Sequence, residues 1–354
     1  MEITPIIVLN WNGIQDTIEC IESVLTLQKV DYHIYLIDNY SDNEEGALLQ
    51  IRYRSNPKIS CYLYDKNYGF TKAHIKIWEE VLKFNASEYV ALLNNDTVVD
   101  DYWLFELLKV GKTNIAEVVS SKMINYYNRS IMDNAGHFMI NTGEIMPIGH
   151  GEPIENYSEV RENMGACAGA CIYKKSMIEE IGFFDPYFST GYEDAELGLR
   201  AVVSQFKCIY APEALVYHKM GQSIKKVFDE SYSLMIQTSI LYSYFKLMPI
   251  YKILIDLPSL IVKFVSMIII DTIFFRPKYL KILLKSWFNI WQQRKEVFKN
   301  RKTFYNQTKS ISGILTLHRK IYWFLPYDVK RFWKILIIGR NSSIDHYVNN
   351  KANN

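Results

Sequence analysis

The chain lacks several features that mark common classes of protein. It has five cysteines, an odd number, and no CxxC pair, which argues against a disulfide framework and a cysteine-based zinc site. Cys167 and Cys171 are interpreted as buried thiols. The first apolar run is short and carries no basic residue, so no secretory signal is predicted. A reducing, cytosolic location is therefore expected.

Two phosphate-binding loops are missing as well. No GxGxxG follows the first apolar run, and no GxxxxGK[ST] occurs in the chain. The first absence argues against a dinucleotide-binding site, and the second argues against a P-loop. A bound diphosphate would therefore need another support, such as a divalent cation held by carboxylates.

Charge is unevenly distributed along the chain, although the net charge is only +2. Residues 1–220 contain 18 Lys and Arg against 31 Asp and Glu, whereas residues 221–354 contain 22 against 7. Apolar residues make up 49% of the chain, which is enough for a sizeable core. An acidic body followed by a basic region predicts that one end contacts a surface or a partner.

Short apolar runs alternate with helical patterns over the first two hundred residues. Strand-like runs occupy residues 3–11, 33–39, 59–67 and 89–96, and helical spacing is found at residues 16–27 and 71–84. This alternation predicts βαβ units and a mostly parallel sheet. Residues 136–151 instead predict a hairpin that turns at Asn141, Thr142 and Gly143.

Three of the predicted strands end in small polar side chains. These are Asn10 and Asn12 after the first strand, Asp38 and Asn39 after the second, and Asn94, Asn95 and Asp96 after the fourth. A turn would explain any one of these clusters. The carboxyl ends of parallel strands share one edge of a sheet, however, so three clusters predict a ligand crevice. A carboxylate at that edge is able to hold a metal ion.

Further charged residues follow in the second half of this region. Glu193 and Asp194 stand where a turn gives way to a helix, a place that suits either first-turn acids or a general base. Glu196 and Arg200 are four residues apart and are interpreted as a surface ion pair. His218 ends another apolar run and is either structural or a metal ligand.

Seven segments, in order, resemble the family 2 glycosyltransferases of the GT-A fold, and most closely the rhamnosyltransferase and galactofuranosyltransferase branch. They are WNG (11–13), LIDNYSD (36–42), NYGF (67–70), LLNNDTVV (92–99), GACIYKKSMIEEIGFFDPYF (169–188), GYEDAELGLRA (191–201) and VYH (216–218). The resemblance covers roughly residues 3–222 and implies an α/β nucleotide-sugar-binding fold. A Rossmann-like, mostly parallel sheet flanked by helices is expected over residues 1–225, followed by a helical, aromatic-rich, basic region over residues 226–354.

The resemblance also implies how a nucleotide-sugar donor is bound. Asp38 matches the acid that binds the base or ribose, and Asn67 and Gly69 match a segment near the nucleobase. Lys72 follows where the family usually has small residues, and it either meets a phosphate or faces solvent. The remaining candidates for donor binding are the polar residues at strand ends, Asn10, Asn12, Asn39, Asn94 and Asn95.

The metal and the base are implied in the same way. Asp96 matches the final acid of the family's metal motif, with Asn94 in place of its first acid, and His218 matches a residue that completes the site for Mg²⁺ or Mn²⁺. Asp194, with Glu193 beside it, matches the base that accepts the proton of the acceptor hydroxyl. A single displacement with inversion, without a covalent enzyme intermediate, is expected.

The region beyond residue 222 has a different character. Residues 257–275 are long enough to span a bilayer, but Lys263 and Asp271 interrupt them, so a buried or interfacial helix is favoured over a span. Residues 279–298 and 320–339 interleave Trp, Leu and Lys, a mixture that suits a helix on an anionic membrane surface. The alternative is a helical subdomain that packs against itself or against a second copy.

The predicted function is an inverting glycosyltransferase. It would move a sugar from a UDP- or dTDP-sugar, with rhamnose among the candidates, to a cell-surface glycan or a polyprenyl-linked oligosaccharide at the cytosolic face of the membrane. One alternative is a soluble acceptor, with the C-terminal region as a dimer interface. Another is a non-catalytic nucleotide-sugar-binding module. Nucleic-acid binding is not predicted, because no module of that kind is present.

Overall fold

A computed structural model describes residues 2–219, 230–308, 321–326 and 328–329. Its described residues divide into two units. The first contains residues 2–137, 147–219 and 302–308, and the second contains residues 138–146, 230–301 and the short segment beyond residue 320. Most of the predicted helical stretch at residues 320–339 lies outside the described residues.

Strands and helices alternate through the first unit, and helices dominate the second. The strands are β1 (Ile3–Asn10), β2 (Asp31–Asp38), β3 (Ile59–Leu63), β4 (Tyr89–Asn94), β5 (Thr97–Val99), β6 (Val118–Asn125), β7 (Met132–Asn134), β8 (His137–Ile140), β9 (Ile145–Pro147), β10 (Arg161–Glu162), β11 (Ala170–Lys174), β12 (Cys208–His218) and β13 (Ile321–Tyr322). The helices are α1 (Ile14–Leu25), α2 (Glu45–Tyr53), α3 (Gly69–Glu80), α4 (Trp103–Asn114), α5 (Lys175–Ile181), α6 (Glu193–Val203), α7 (Glu230–Leu247), α8 (Ile250–Ile273), α9 (Pro277–Gln292) and α10 (Arg294–Gln307).

The first unit is built on a ten-stranded sheet in the order β10-β12-β6-β11-β4-β1-β2-β3, with β5 paired to β12 and β7 paired to β6. Strands β3, β2, β1 and β4 are mutually parallel, and β12 is parallel to β6. Only β11, among the long strands, runs antiparallel to both of its neighbours. The predicted α/β architecture with a mostly parallel sheet is confirmed.

The strand register explains why the predicted polar clusters share one edge. Asn10 pairs with Asp38 at the ends of β1 and β2, and Leu9 pairs with Asn94 at the end of β4. Upstream of these positions the strands are buried on both faces, as expected for a parallel sheet covered by helices. The apolar residues thus fix the register, and the register aligns the polar ends.

Two predicted boundaries are wrong. The helix predicted over residues 71–84 begins two residues earlier, at Gly69, and ends at Glu80; a short 3₁₀ turn, Leu82–Phe84, follows because Val81 leaves the helical conformation. The third strand ends at Leu63 rather than residue 67. Its continuation turns towards the edge of the sheet, where the Tyr64 amide donates to the Asp38 carbonyl at 2.9 Å.

The second unit contains α7, α8, α9, most of α10 and a short hairpin at residues 138–146. The predicted hairpin is confirmed: the Gly143 amide donates to the Ile140 carbonyl at 2.9 Å, and Gly143 has φ +98, which favours glycine. Among the described residues, α8 is the one helix long and apolar enough to cross a membrane by length and composition, with 24 residues and a mean hydropathy of 2.3 over its most apolar window.

Candidate active site

Asn10 and Asp38 pair at the ends of β1 and β2 in the first unit. The Asn10 amide donates to Asp38 Oδ1 at 2.8 Å, and Asp38 Oδ2 accepts the Ser41 backbone N–H at 3.0 Å. Both side chains are buried. Because each oxygen of the Asp38 carboxylate is bonded, its position is fixed before any ligand arrives.

A second set of hydrogen bonds joins β1 to the end of β4. Thr17, on α1, donates its hydroxyl to Asn10 Oδ1 at 2.7 Å, and it accepts the side-chain amide of Asn95 at 2.9 Å. Asn12 lies beside this group, where it exchanges two hydrogen bonds with Asp42. The ends of the first, second and fourth strands are therefore linked into one polar network, as the strand order predicted.

The segment after β3 is attached to the same edge through Asn39. Its side-chain amide donates to Asn67 Oδ1 at 3.0 Å, and its oxygen accepts the Tyr68 amide at 2.9 Å. Gly69 has φ +71, and a Cβ there would lie 3.0 Å from the Ser189 carbonyl. This close approach needs a glycine. Lys72, in the first turn of α3, has an exposed side chain.

Asp96 and His218 meet at the end of β12. His218 Nε2 lies 3.3 Å from Asp96 Oδ1, and His218 Nδ1 lies 2.7 Å from Asp133 Oδ2. His150 Nδ1 contacts the other oxygen of Asp133 at 3.2 Å. Burial would lower the pKa of His218, but the charges of Asp96 and Asp133 outweigh burial and raise the pKa to about 10.

The residues present fit a divalent cation. Two ligands on adjacent positions around such an ion are about 3 Å apart when each ligand bond is about 2.1 Å, and Asp96 Oδ1 and His218 Nε2 have this separation. Asp133 bonds the other ring nitrogen, the arrangement usual for a metal-binding histidine. No group of three or more His, Cys, Asp or Glu side chains that could hold a metal ion occurs in the described part of the chain.

Asp194 lies at the start of α6, close to the end of β4. Its Oδ2 accepts the Ala168 amide at 3.0 Å, and its Oδ1 accepts its neighbour's amide, that of Ala195, at 2.7 Å. One residue after Ala168, the Gly169 carbonyl accepts the Asn94 amide at 2.9 Å. The segment 167–169 thus joins the candidate base to the end of β4 that carries the candidate metal residue.

Glu193 has a different environment from Asp194. Its side chain is buried, and Oε2 has no hydrogen-bond partner. Burial, together with the charge of Asp194, raises the pKa of Glu193 to about 8. At neutral pH Glu193 is therefore largely protonated, so the two adjacent acids do not carry two negative charges.

The sequence analysis did not identify His137 and interpreted Cys167 only as a buried thiol, but the charge of Asp194 acts on both. His137 is buried with Nδ1 unbonded, and burial lowers the pKa of its imidazole although the charge of Asp194 opposes this. Burial, then the charges of Asp194 and Asp133, raise the pKa of the Cys167 thiol. The pKa values of both groups thus respond to the charge of Asp194.

The interpretation of Glu196 and Arg200 as a surface ion pair is wrong. Their side chains are 0% and 6% exposed, and Arg200 Nη2 lies 2.7 Å from Glu196 Oε2. The guanidinium also donates to the carbonyls of Ile181, Gly182 and Phe183. A spacing of four residues identifies one helix face but does not say whether that face meets water; here it packs beneath the loop that leads to Glu193.

Comparisons with known proteins agree with this geometry. The family model described as "Glycosyl transferase family 2" matches residues 6–182. A solved structure described as GalNAc-T7 with UDP, GalNAc and Mn²⁺ is similar with a TM-score of 0.52 and 14% identity, over 69% of this chain and 50% of that chain. The chain thus spans about half the length of that protein, and the likeness is one of fold. No curated protein matches the chain at a significant level.

Proposed function

The chain belongs to glycosyl transferase family 2, and on that premise we propose that it is a metal-dependent, inverting glycosyltransferase. Its donor is a UDP- or dTDP-sugar, with rhamnose among the candidate sugars. The observation that carries the proposal is the convergence of Asp38, Asp96 and Asp194, each held by hydrogen bonds or an ion pair, on one edge of the sheet.

The donor would be bound by the polar network at the strand ends. Asp38 binds the ribose or base, since its carboxylate is fixed by Asn10 and Ser41. Asn39 holds the Asn67 to Gly69 segment against the nucleobase. These fixed groups bind the nucleoside with little loss of side-chain freedom, which favours affinity.

Asp96 and His218 would hold Mg²⁺ or Mn²⁺ against the diphosphate. When bound, the cation stabilises the negative charge that develops on the departing nucleoside diphosphate. Asp133 keeps the Nδ1 proton of His218 in place and so presents Nε2 as the ligand atom. With one carboxylate and one imidazole from the chain, modest affinity for the free cation is expected.

Asp194 would act as the general base. Its carboxylate accepts the proton of the acceptor hydroxyl while that oxygen attacks the anomeric carbon and the bond to the diphosphate breaks. Glu193, kept neutral by burial and by Asp194, does not compete for that proton. Because the acceptor oxygen displaces the diphosphate directly, the anomeric configuration inverts and no glycosyl-enzyme forms.

The acceptor in this proposal is a hydroxyl of a cell-surface glycan or of a polyprenyl-linked oligosaccharide. The enzyme would work as a peripheral protein on the cytosolic face of the membrane. The basic, aromatic-rich C-terminal region supports this location. In this proposal residues 1–225 supply the chemistry and residues 226–354 the attachment.

Thermal unfolding with a panel of nucleoside diphosphates tests the proposal. With Mn²⁺ present, UDP or dTDP at about 100 times its Kd adds about 2.7 kcal/mol of stability and raises Tm. Asp96→Ala should remove this shift. Asp194→Asn should keep it, yet lower the rate of sugar transfer about 10²- to 10⁴-fold, the usual contribution of a general base.

No shift with any nucleotide, from a folded sample, would reject the transferase. A shift that survives in Asp96→Ala would reject the metal assignment alone. Full transfer activity in Asp194→Asn would show that another residue acts as the general base, and it would not contradict the donor-site assignment.

A further inference from the structure

Helix α8 carries its charged side chains on its inner face. Lys252, Asp256 and Asp271 are buried, and the side chain of Lys263 is 11% exposed. Lys252 pairs with Asp256, and Lys263 pairs with Glu144 of the hairpin, all within the second unit. A helix on a protein surface in water normally shows the reverse arrangement, with charges outward.

The outer face of α8 is correspondingly apolar. Its exposed positions carry apolar side chains, with the exceptions of Tyr251 and Thr272, and the Thr272 hydroxyl bonds the Ile268 carbonyl. The central part of this face consists of Leu254, Ile255, Ile261, Val262, Val265 and Ile269. A contiguous apolar patch of this length is rarely left in contact with water and marks an interaction surface.

Neighbouring elements of the second unit indicate that the occupant is lipid. On α9, Leu284 and Phe288 line a groove together with Lys281 and Lys285, and Trp291 is exposed one turn further on. Aromatic side chains beside lysines are typical of the boundary between acyl chains and headgroups. Lys285 complements anionic headgroups, and so does Lys281, whose exposed side chain also pairs with Glu230 of α7 at 2.9 Å.

The inner face of α8 argues against a span. Asn141 donates to the Ser259 hydroxyl at 3.0 Å, and Lys263 donates to the Thr142 hydroxyl at 3.2 Å, so the hairpin covers the middle of the helix. If α8 spanned the membrane, this hairpin and its charged side chains would enter the hydrocarbon. The transfer of several polar groups out of water would then be energetically unfavourable. A helix in the membrane plane keeps them on its protein side.

We propose that α8 lies in the plane of an anionic membrane, with its Leu254 to Ile269 face among the acyl chains and the α9 lysines at the headgroups. The inference deepens the proposed function, since it names the membrane face of the enzyme and the depth at which it sits. It is tested without donor or acceptor, so failure of lipid binding and failure of transfer are separate results.

Flotation of the full chain with vesicles is the first experiment. The protein should float with vesicles of phosphatidylcholine and 30% phosphatidylglycerol, and less with phosphatidylcholine alone. The triple variant Leu254→Gln, Ile261→Gln and Val265→Gln changes exposed side chains only, and it should lower the bound fraction about tenfold or more. The matched control, Leu48→Gln with Ile51→Gln, alters exposed apolar residues of α2 and should float like the wild type.

The depth of labelled α8 residues in the bilayer distinguishes a helix in the membrane plane from a spanning helix. An environment-sensitive fluorescent amino acid placed at residue 254, 261 or 269 should be quenched equally by a nitroxide at one lipid depth. A spanning helix rises 1.5 Å per residue, so residue 261 would lie about 10 Å deeper than residue 254.

Three results would overturn the assignment of the α8 face to a membrane. They are failure of the full chain to float with anionic vesicles, flotation of the triple variant at the wild-type level, and a stable dimer in lipid-free buffer that the triple variant converts to monomers. The last result would assign the face to a second copy of the chain. Unequal quenching along the helix would reject the in-plane arrangement.

Discussion

Nδ1 of His218 lies 2.7 Å from Oδ2 of Asp133, a contact between residues 85 positions apart in the sequence. Since a carboxylate accepts, this contact places a proton on Nδ1, and Nε2 faces Asp96 and must lose its own proton before it binds a metal. Asp133 is itself buried and shared with His150. It is a positioning residue, because its contact is with the candidate ligand rather than with substrate.

Replacing Asp133 should weaken metal binding. In Asp133→Asn the charge that orients His218 is lost, and the Kd for Mn²⁺ in the presence of UDP should rise about 10- to 100-fold. Electron paramagnetic resonance of free Mn²⁺ measures this Kd without an activity assay. Asp31→Asn, at the exposed, opposite end of β2 from Asp38, is the control, and an equal Kd in both variants would contradict the assignment.

The protonated state of Glu193 makes stability depend on pH. Its pKa is about 8 in the folded chain and near 4.5 when unfolded, so unfolding between pH 5 and 8 releases a proton and the free energy of unfolding falls as pH rises. Glu193→Gln replaces the carboxyl group with an amide, so unfolding no longer releases this proton. Its stability relative to the wild type should therefore increase with pH, by at most about 1.4 kcal/mol per pH unit.

Urea unfolding at pH 5.5, 6.5 and 7.5 measures this difference. Glu179→Gln changes an exposed glutamate in the same unit and should follow the wild type at every pH. A difference between Glu193→Gln and the wild type that stays constant over this range would show that Glu193 is already ionised in the folded protein.

A methyl group at Gly46 should disturb the donor site indirectly. A Cβ there would lie 2.8 Å from Oδ2 of Asp38, so Gly46→Ala must move the carboxylate away from its partners. Overpacking of this kind costs about 1–3 kcal/mol of stability. We expect the Kd for UDP to rise about tenfold, measured by calorimetry, because the carboxylate is no longer fixed. Ala47→Ser, at the exposed neighbouring position, should leave UDP affinity unchanged.

Loss of Arg200 should be one of the most destabilising single changes in the first unit. Arg200→Ala breaks a buried ion pair with Glu196 and removes the donor from three carbonyls, so the free energy of unfolding should fall by about 3–5 kcal/mol. The free energy of unfolding of Arg200→Lys should lie between those of the wild type and Arg200→Ala, because a lysine cannot reach all these acceptors. Urea denaturation tests this. Arg52→Ala breaks an ion pair between two half-exposed side chains and should leave the free energy of unfolding close to that of the wild type.

The sequence was sufficient to predict the sheet edge because that prediction needs only local patterns. Apolar runs that stop at Asn10, Asp38 and Asn94 identify strand ends, and parallel pairing then brings the ends together. The outcome depends on connection handedness and strand order, which follow general rules, rather than on particular side-chain contacts.

The supports of the candidate site could not be predicted in this way. Asp133 lies on a strand of three residues, too short to show a period, and it reaches His218 across a bulged pairing with β6. The burial of Arg200 depends on the carbonyls of a loop 17 to 19 residues earlier. Lys263 of α8 pairs with Glu144 of a hairpin 119 residues earlier. Such contacts are tertiary and leave no local pattern.

Helix α6, which begins with Glu193 and Asp194, touches the backbone of residues 164–165 without any side chain between them. A Cβ at Gly198 would lie 2.5 Å from the Met164 carbonyl, and a Cβ at Gly165 would lie 2.7 Å from the Gly198 Cα. Contact repulsion rises steeply over tenths of an ångström and does not respond to ionic strength. Backbone contact therefore limits how closely α6, and with it Asp194, approaches residues 164–165. Asp96 and His218 are instead held to each other by an ion pair. Salt should leave the position of α6 unaltered, and it should act only weakly on Asp96 and His218, because the side chains of that pair are largely buried.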